Sequence, residues 1–171
     1  RGVFWAQVTA RCAIEMALLD AYTKALNIPM YQFFGGAGNT AETDYTIDIV
    51  PPKVAKANAV KLAKAGYRVL KTKVGKNLTD DIDRLLAIKD GAPGCGITLD
   101  ANQGYSPTEA VHFLNELEKN GIRPVMFEQP VIKSDLLGMK YVKDHTSVLV
   151  GADESVFTSA DAINIVRTGC A

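Results

Sequence analysis

The sequence lacks the features that mark membrane, nucleic-acid-binding and disulfide-rich proteins. Its 19 Lys and Arg residues balance 19 Asp and Glu residues, so no charged surface for nucleic acid or an anionic membrane is expected. No apolar run approaches the roughly 20 residues that cross a bilayer. The three cysteines, Cys12, Cys95 and Cys170, are odd in number and outside any C-x-x-C pattern. They argue against a disulfide framework or a cysteine zinc site, fit a reducing compartment, and lead us to expect a cytoplasmic protein.

The chain of 171 residues has the composition of a soluble globular protein, with 47% hydrophobic and 22% charged residues. Its first clear pattern is a helix with apolar residues at helical spacing on one face: Ile14, Ala17, Leu18, Ala21 and Ala25. The helix should end before Ile28-Pro29, because the residue before a proline disfavours helical geometry. We assign residues 1–40 to a helical lead-in and residues 41–171 to a second domain.

Residues 41–171 alternate between strand and helix patterns five times. The predicted strands are Asp44–Val50, Tyr67–Val74, Gly96–Ala101, Val125–Glu128 and Ser147–Ala152. Helix starts are indicated by Pro51-Pro52, by Thr79 with Asp80 and Asp81, by the capping box Ser106–Glu109, and by Thr158 with Asp161. Short loops between alternating elements predict an α/β fold with parallel strands. An open doubly wound sheet and an unfinished (β/α)₈ barrel both fit this alternation.

Charged residues collect at the carboxyl ends of the predicted strands, where ligands bind in both architectures. The second strand contains two lysines, and the later strand ends have carboxylates about one strand-helix unit apart: Lys71, Lys73, Asp100, Glu128 and Asp153. Because strand side chains alternate, the two lysines should point to the same face. The same holds for Asp100 and Asn102, which are also two residues apart.

Three convergent carboxylates suit a hard divalent cation, Mg²⁺ first and Mn²⁺ second. A lysine beside such a cation and a second lysine should have a lowered pKa. It could then act as a base that removes a proton alpha to a carboxylate. Individually, a Lys-x-Lys pair is more typical of an exposed strand, and a strand-end acid is more typical of a turn or helix cap. Their repetition at matching strand ends favours a site.

Four strand-end motifs resemble those of the muconate-lactonizing subgroup of the enolase superfamily: Lys71–Gly75, Leu99–Gly104, Phe127–Pro130 and Ala152–Ser155. Leu137–Val142 and Val156–Thr158 are similar to the dipeptide epimerases in particular. The resemblance covers nearly the whole chain. It implies a partial (β/α)₈ TIM barrel of about the first five strand-helix units, preceded by a helix from the junction with a capping domain.

The resemblance also implies roles for seven residues. Asp100, Glu128 and Asp153 would bind Mg²⁺. The remaining roles are acid/base for Lys73, electrostatic neighbour for Lys71, and accessory groups for Asn102 and Glu154.

The family needs parts that we do not find in this sequence. Inversion of a carbon centre requires a base on each face, and the family's opposing lysine lies on the sixth strand, about two dozen residues past the last metal ligand. Asp153 is too close to Ala171 for that strand to be present. We therefore expect a piece of a longer enzyme, lacking the capping domain and the last strands. By itself it should be poorly soluble or partly folded, because five strands do not close a barrel, and it should not epimerise substrate.

The leading hypothesis is Mg²⁺-dependent abstraction of the proton alpha to a carboxylate via an enediolate, in the epimerisation of a dipeptide such as Ala-Glu. Related alternatives are o-succinylbenzoate synthase and muconate cycloisomerase chemistry. Two other classes remain open: a Schiff-base enzyme using Lys71 or Lys73, and a non-catalytic truncated homologue. The expected partner is a small carboxylate molecule, with no nucleic acid and no membrane, and the sequence leaves open whether the whole protein is a homo-oligomer.

Overall fold

The computed structural model describes residues 7–171, so the first six residues of the predicted lead-in lie outside the described part. The chain divides into two units, Arg1–Glu42 and Thr43–Ala171. The first unit contains helix α1, Val8–Ala25, and the single-turn helix α2, Met30–Phe33. The predicted end of the first helix before Ile28-Pro29 is confirmed. Within residues 7–171, no helix has both the length and the apolar character needed to cross a membrane.

The second unit consists of five strands, each followed by a helix. The strands are β1, Tyr45–Ile47; β2, Val69–Lys73; β3, Gly96–Asp100; β4, Met126–Glu128; and β5, Leu149–Gly151. The helices are α3, Pro52–Lys64; α4, Leu78–Gly91; α5, Pro107–Lys119; α6, Leu136–Asp144; and α7, Ser159–Thr168. All five strands are shorter, at one end or at both ends, than the alternation predicted, because side-chain alternation continues past the last residue that pairs with a neighbouring strand.

The five strands form one parallel sheet in the order β1-β2-β3-β4-β5. A doubly wound sheet would reverse its strand order at a switch point, where a (β/α)₈ barrel adds each strand beside the previous one. The sequential order therefore decides between the two architectures that the alternation pattern left open. It confirms the partial barrel of five strand-helix units.

The helix starts depend on side-chain caps. Ser106 and Glu109 form the predicted capping box of α5, and Thr158 and Asp161 form that of α7. Helix α4 begins at Leu78, one residue before the predicted start at Thr79. Its cap is the Asn77 side chain, which accepts a hydrogen bond from the Asp80 backbone N–H at 3.1 Å. Asp80 and Asp81 therefore lie within the first turn of α4.

One face of the sheet packs against the helices and forms the apolar core. Alternate strand residues such as Leu70, Leu99 and Phe127 are fully buried there with helix residues that include Phe113 and Leu117. The intervening strand residues, among them both lysines of β2, point to the opposite face, as the period of two requires. The apolar core thus fixes the sheet, and the sheet in turn fixes the polar face.

Phe113 lies at the centre of an aromatic cluster in this core. Its ring centroid is 5.2 Å from that of Tyr105 and 6.0 Å from that of Phe127. Replacing Phe113 with alanine should lower the free energy of unfolding by about 3–5 kcal/mol, because it removes a fully buried ring and leaves a cavity. Urea unfolding followed by circular dichroism would measure the loss.

The matched control is Phe157→Ala, since the Phe157 side chain is 59% exposed. Its replacement should cost about 1 kcal/mol or less. Equal losses for the two variants would contradict the assignment of Phe113 to the core.

Candidate active site

The candidate site lies where the carboxyl ends of neighbouring strands meet. Lys73 of β2 pairs with Asp100 of β3, Asp100 pairs with Glu128 of β4, and Glu128 pairs with Gly151 of β5. In a parallel sheet, residues paired in this way point to the same face. The register therefore brings together residues that are far apart in the sequence.

Lys71 bridges the two carboxylates of this row. Its Nζ donates to Glu128 Oε2 at 2.7 Å and lies 3.1 Å from Asp100 Oδ2. Lys71 lies two residue pairs further back along the sheet, opposite Thr98, so its long side chain extends toward the strand ends. Two carboxylates thus converge on a single positive charge.

Lys73 is held by the same aspartate and by an amide. Its Nζ donates to Asp100 Oδ2 at 2.7 Å and to Asn102 Oδ1 at 2.6 Å. The Asn102 backbone N–H donates to Asp100 Oδ1 at 3.0 Å, so both carboxylate oxygens of Asp100 are occupied. Asn102 Nδ2 donates to Glu154 Oε1 at 3.1 Å. One continuous network therefore contains six of the seven residues predicted from the sequence.

Asp153 is the residue that this network does not include. Its side chain is exposed, and within residues 7–171 its carboxylate takes part in no hydrogen bond or ion pair. In the same part of the chain, no three His, Cys, Asp or Glu side chains lie close enough together to hold a metal ion. The role of Asp153 as a third ligand stays a prediction.

Two observations test whether the residues present suit a hard divalent cation. Asp100 and Glu128 supply carboxylate oxygens that already face one cationic group, the ammonium of Lys71. Next to Asp153, the Glu154 Oε2 atom is buried without a hydrogen-bond partner among the described residues, which leaves a carboxylate oxygen unsatisfied. Oxygen ligands of this kind are those that Mg²⁺ prefers, so the donor set fits.

Asp100 is stabilised as a carboxylate despite its burial. Its side chain is only 1% exposed, and such burial by itself opposes the charge. The hydrogen bonds from Lys73 and Lys71 outweigh this effect and hold the pKa of Asp100 below its usual value. The buried acid is therefore an anion that requires its lysine partners.

Burial likewise opposes the charge of Lys71, but the hydrogen bonds to Glu128 and Asp100 raise its pKa above the usual value. We expected a lysine of the pair to have a lowered pKa beside a divalent cation, and at Lys71 the carboxylates alone act in the opposite direction. A Schiff-base nucleophile must be a neutral amine, so this environment argues against Lys71 in that role.

A buried ion pair that the sequence reading missed holds the end of β2. Asp81 and Arg84 of α4 are 1% and 2% exposed and form a salt bridge. Arg84 Nη2 donates to the Lys73 carbonyl at 2.7 Å, and the Gly75 N–H donates to Asp81 Oδ2 at 2.8 Å. The Asp81–Arg84 ion pair therefore holds the backbone of Lys73 and of Gly75, the residues before and after Val74. The sequence does contain a sign of this ion pair: Asp81 and Arg84 are three residues apart on the helix that follows β2.

Known proteins share the sequence pattern and the fold of this chain. The enolase C-terminal domain-like family matches residues 54–171. The chain is similar to the L-Ala-D/L-amino acid epimerase of Populus trichocarpa, with 45% identity over 93% of this chain and 39% of the relative.

Two solved structures extend the comparison. A substrate-liganded complex of the L-Ala-D/L-Glu epimerase from Bacillus subtilis has a TM-score of 0.88 and 40% identity, covering 93% of this chain and 45% of the other. The dipeptide epimerase of Enterococcus faecalis, complexed with Mg and the dipeptide L-Leu-L-Tyr, has a TM-score of 0.83 and 36% identity, covering 89% and 43%. The chain thus spans less than half the length of these relatives.

The ion pair behind β2 gives a stability prediction. Replacing Arg84 with methionine should lower the free energy of unfolding by about 3–5 kcal/mol, because it leaves the Asp81 carboxylate buried without its partner. Chemical denaturation at neutral pH would measure the change.

Arg123→Met is the matched control, since Arg123 forms an exposed ion pair with Glu118 at 3.1 Å. It should cost about 1 kcal/mol or less, as exposed ion pairs generally do. If both variants lost the same stability, the Asp81–Arg84 pair would not have the structural role described above.

Proposed function

The chain belongs to the enolase C-terminal domain-like family, and on that premise we propose that it supplies the Mg²⁺ site and one acid/base lysine of a dipeptide epimerase. The observation that carries the proposal is the contact of Lys71 and Lys73 with Asp100, and of Lys71 with Glu128, at the ends of three neighbouring strands. Basic and acidic groups of this kind are what removal of a weakly acidic carbon-bound proton requires.

The residues that would hold the Mg²⁺ are Asp100, Glu128 and Asp153, with Glu154 as an accessory carboxylate. When bound, the cation would stabilise the negative charge that builds up on the substrate carboxylate as the alpha proton leaves. The E. faecalis relative that was solved with Mg and a dipeptide supports this choice of metal and substrate class.

Lys73 is the proposed acid/base. In its neutral amine form, Lys73 Nζ would take the proton alpha to the substrate carboxylate and become an ammonium group, and the electron pair left behind would be delocalised as an enediolate. Lys71, next to it on the same face of the sheet, would place a second positive charge near the developing anion. Asn102, which accepts from Lys73 at 2.6 Å, would orient its ammonium group.

The substrate class follows from the relatives. The names of the P. trichocarpa and B. subtilis enzymes specify L-Ala at the first position, so a dipeptide of the Ala-Glu type is the substrate we propose. Epimerisation also requires an acid/base on the opposite face of the enediolate, which the whole protein would have to supply.

The metal site can be tested by Mn²⁺ binding to the protein that contains this chain, followed by the electron paramagnetic resonance of free Mn²⁺. Asp153→Asn should weaken binding by at least about tenfold, because it removes one of three charged ligands. Folding should be unchanged, because the Asp153 carboxylate is exposed and unpaired within the described chain. Asp144→Asn, at another exposed acid, is the control; equal affinities for all three proteins would contradict the assignment.

The acid/base role can be tested by exchange of the substrate alpha proton with deuterated solvent. In the protein that contains this chain, Lys73→Gln should slow Mg²⁺-dependent exchange in L-Ala-L-Glu by about 10²–10⁴-fold, the usual contribution of a general base. Nuclear magnetic resonance of the dipeptide would measure the rate, and identification of the product would separate epimerisation from cycloisomerase or synthase chemistry.

Lys76→Gln is the matched control for that experiment. Lys76 is exposed and lies three residues further along, past the end of β2. It should leave the exchange rate unchanged. Equal rates for the Lys73 and Lys76 variants would refute the acid/base assignment.

A further inference from the structure

Gln129 joins the ends of three strands through its backbone. It follows Glu128 directly, its N–H donates to the Gly151 carbonyl at 2.8 Å, and its own carbonyl accepts from the Gln103 N–H at 2.9 Å. Its φ is +38°, in the left-handed region that residues other than glycine rarely adopt. Such a conformation persists only where the surroundings fix it, so this position is tightly determined.

The Gln129 side chain is 0% exposed and has a partner for every polar group. Its Oε1 accepts from the backbone N–H groups of Asp153 at 2.9 Å and Ser155 at 3.1 Å. Its Nε2 donates to the Val131 carbonyl at 3.0 Å and to Ser155 Oγ at 2.8 Å. Two acceptor sites and two donors are the full capacity of an amide. The loop after β5 is therefore attached to the end of β4 by one side chain.

This attachment decides where Asp153 lies. Within residues 7–171 the Asp153 carboxylate has no hydrogen bond or ion pair of its own, so its position follows from its backbone. That backbone is bound through its N–H to Gln129 Oε1, one residue away from Glu128. The side chain that follows one proposed metal ligand thus fixes the main chain of another.

We propose that Gln129 is a positioning residue that presents Asp153 to the divalent cation, in place of any direct contact with metal or substrate. The inference rests on the proposed function, because it assumes that Asp153 is a ligand. Residues that orient metal ligands without touching the metal usually change metal affinity by about 10–100-fold when they are replaced.

Gln129→Met tests this proposal, since methionine keeps the length of the side chain and removes all four hydrogen bonds. Mn²⁺ binding to the protein that contains this chain should weaken by about 10–100-fold. Amide hydrogen exchange at Asp153 and Ser155, followed by nuclear magnetic resonance without metal, should become faster. This second readout reports the attachment itself and does not depend on activity.

Gln103→Met is the matched control, because Gln103 lies at the same edge of the sheet and accepts from the Lys133 N–H at 3.0 Å. It should leave Mn²⁺ affinity and the two amides unchanged. A second pair covers the case in which Gln129→Met does not fold. Ser155→Ala removes one of the four partners and should weaken Mn²⁺ binding several-fold, while Thr158→Ala, which only removes a helix cap, should not.

The possible outcomes distinguish failure of the positioning role from failure of the metal site. Unchanged affinity in Gln129→Met, or weakened affinity with the two amides still protected, overturns the positioning role and leaves the metal site intact. Without a folded Gln129→Met protein, equal affinities for Ser155→Ala and Thr158→Ala overturn it in the same way. Absence of Mn²⁺ binding to the unaltered protein that contains this chain overturns the proposed metal site, and the positioning role with it.

Discussion

The site depends on the buried carboxylate of Asp100, which needs positively charged partners to remain ionised. Asp100 is buried to 99% of its surface, and an ionised acid in that position is costly unless charged partners surround it. Lys71 and Lys73 supply those partners, and in return Asp100 allows two ammonium groups to lie close together on one face of β2. With Glu128 included, two positive and two negative groups balance. Removing any one member would leave an uncompensated charge, so the four are interdependent.

One face of the sheet is apolar and stabilises the fold, while the other carries the charged residues of the site. The apolar face, packed against the helices, sets strand order and register, and register decides which side chains become neighbours on the polar face. A slip of one residue in β3 would turn Asp100 toward the helices and Leu99 toward the lysines. Packing far from the chemistry therefore determines whether Lys73 meets a carboxylate.

Much of this could be predicted from the sequence, because alternation and helix periodicity are local and the motif spacing repeats with the strand-helix unit. Periodicity could not give the strand order, since it carries no information about which strands pair; only the family resemblance implied the barrel order that the sheet has. The roles of Arg84 and Gln129 were missed for a related reason. The role of a polar residue depends on the group that it contacts, and the sequence does not show that Gln129 contacts Asp153 or that Arg84 contacts the end of β2. A lowered lysine pKa was expected beside a bound cation, whereas the carboxylates alone raise the pKa of Lys71, so that expectation stays a prediction.

Sequential strand order also explains how the loops around the site are held. Each strand-helix unit contributes a loop to the same edge, and hydrogen bonds join that loop to the next unit: Gln103 to Lys133, and Gln129 to Asp153. Asn102 reaches further, to Glu154 two units away. Because most of these contacts join sequential neighbours, each unit needs only the adjacent ones to place its ligand. The row of charged groups on β2, β3 and β4 is therefore specified within these neighbouring strands alone.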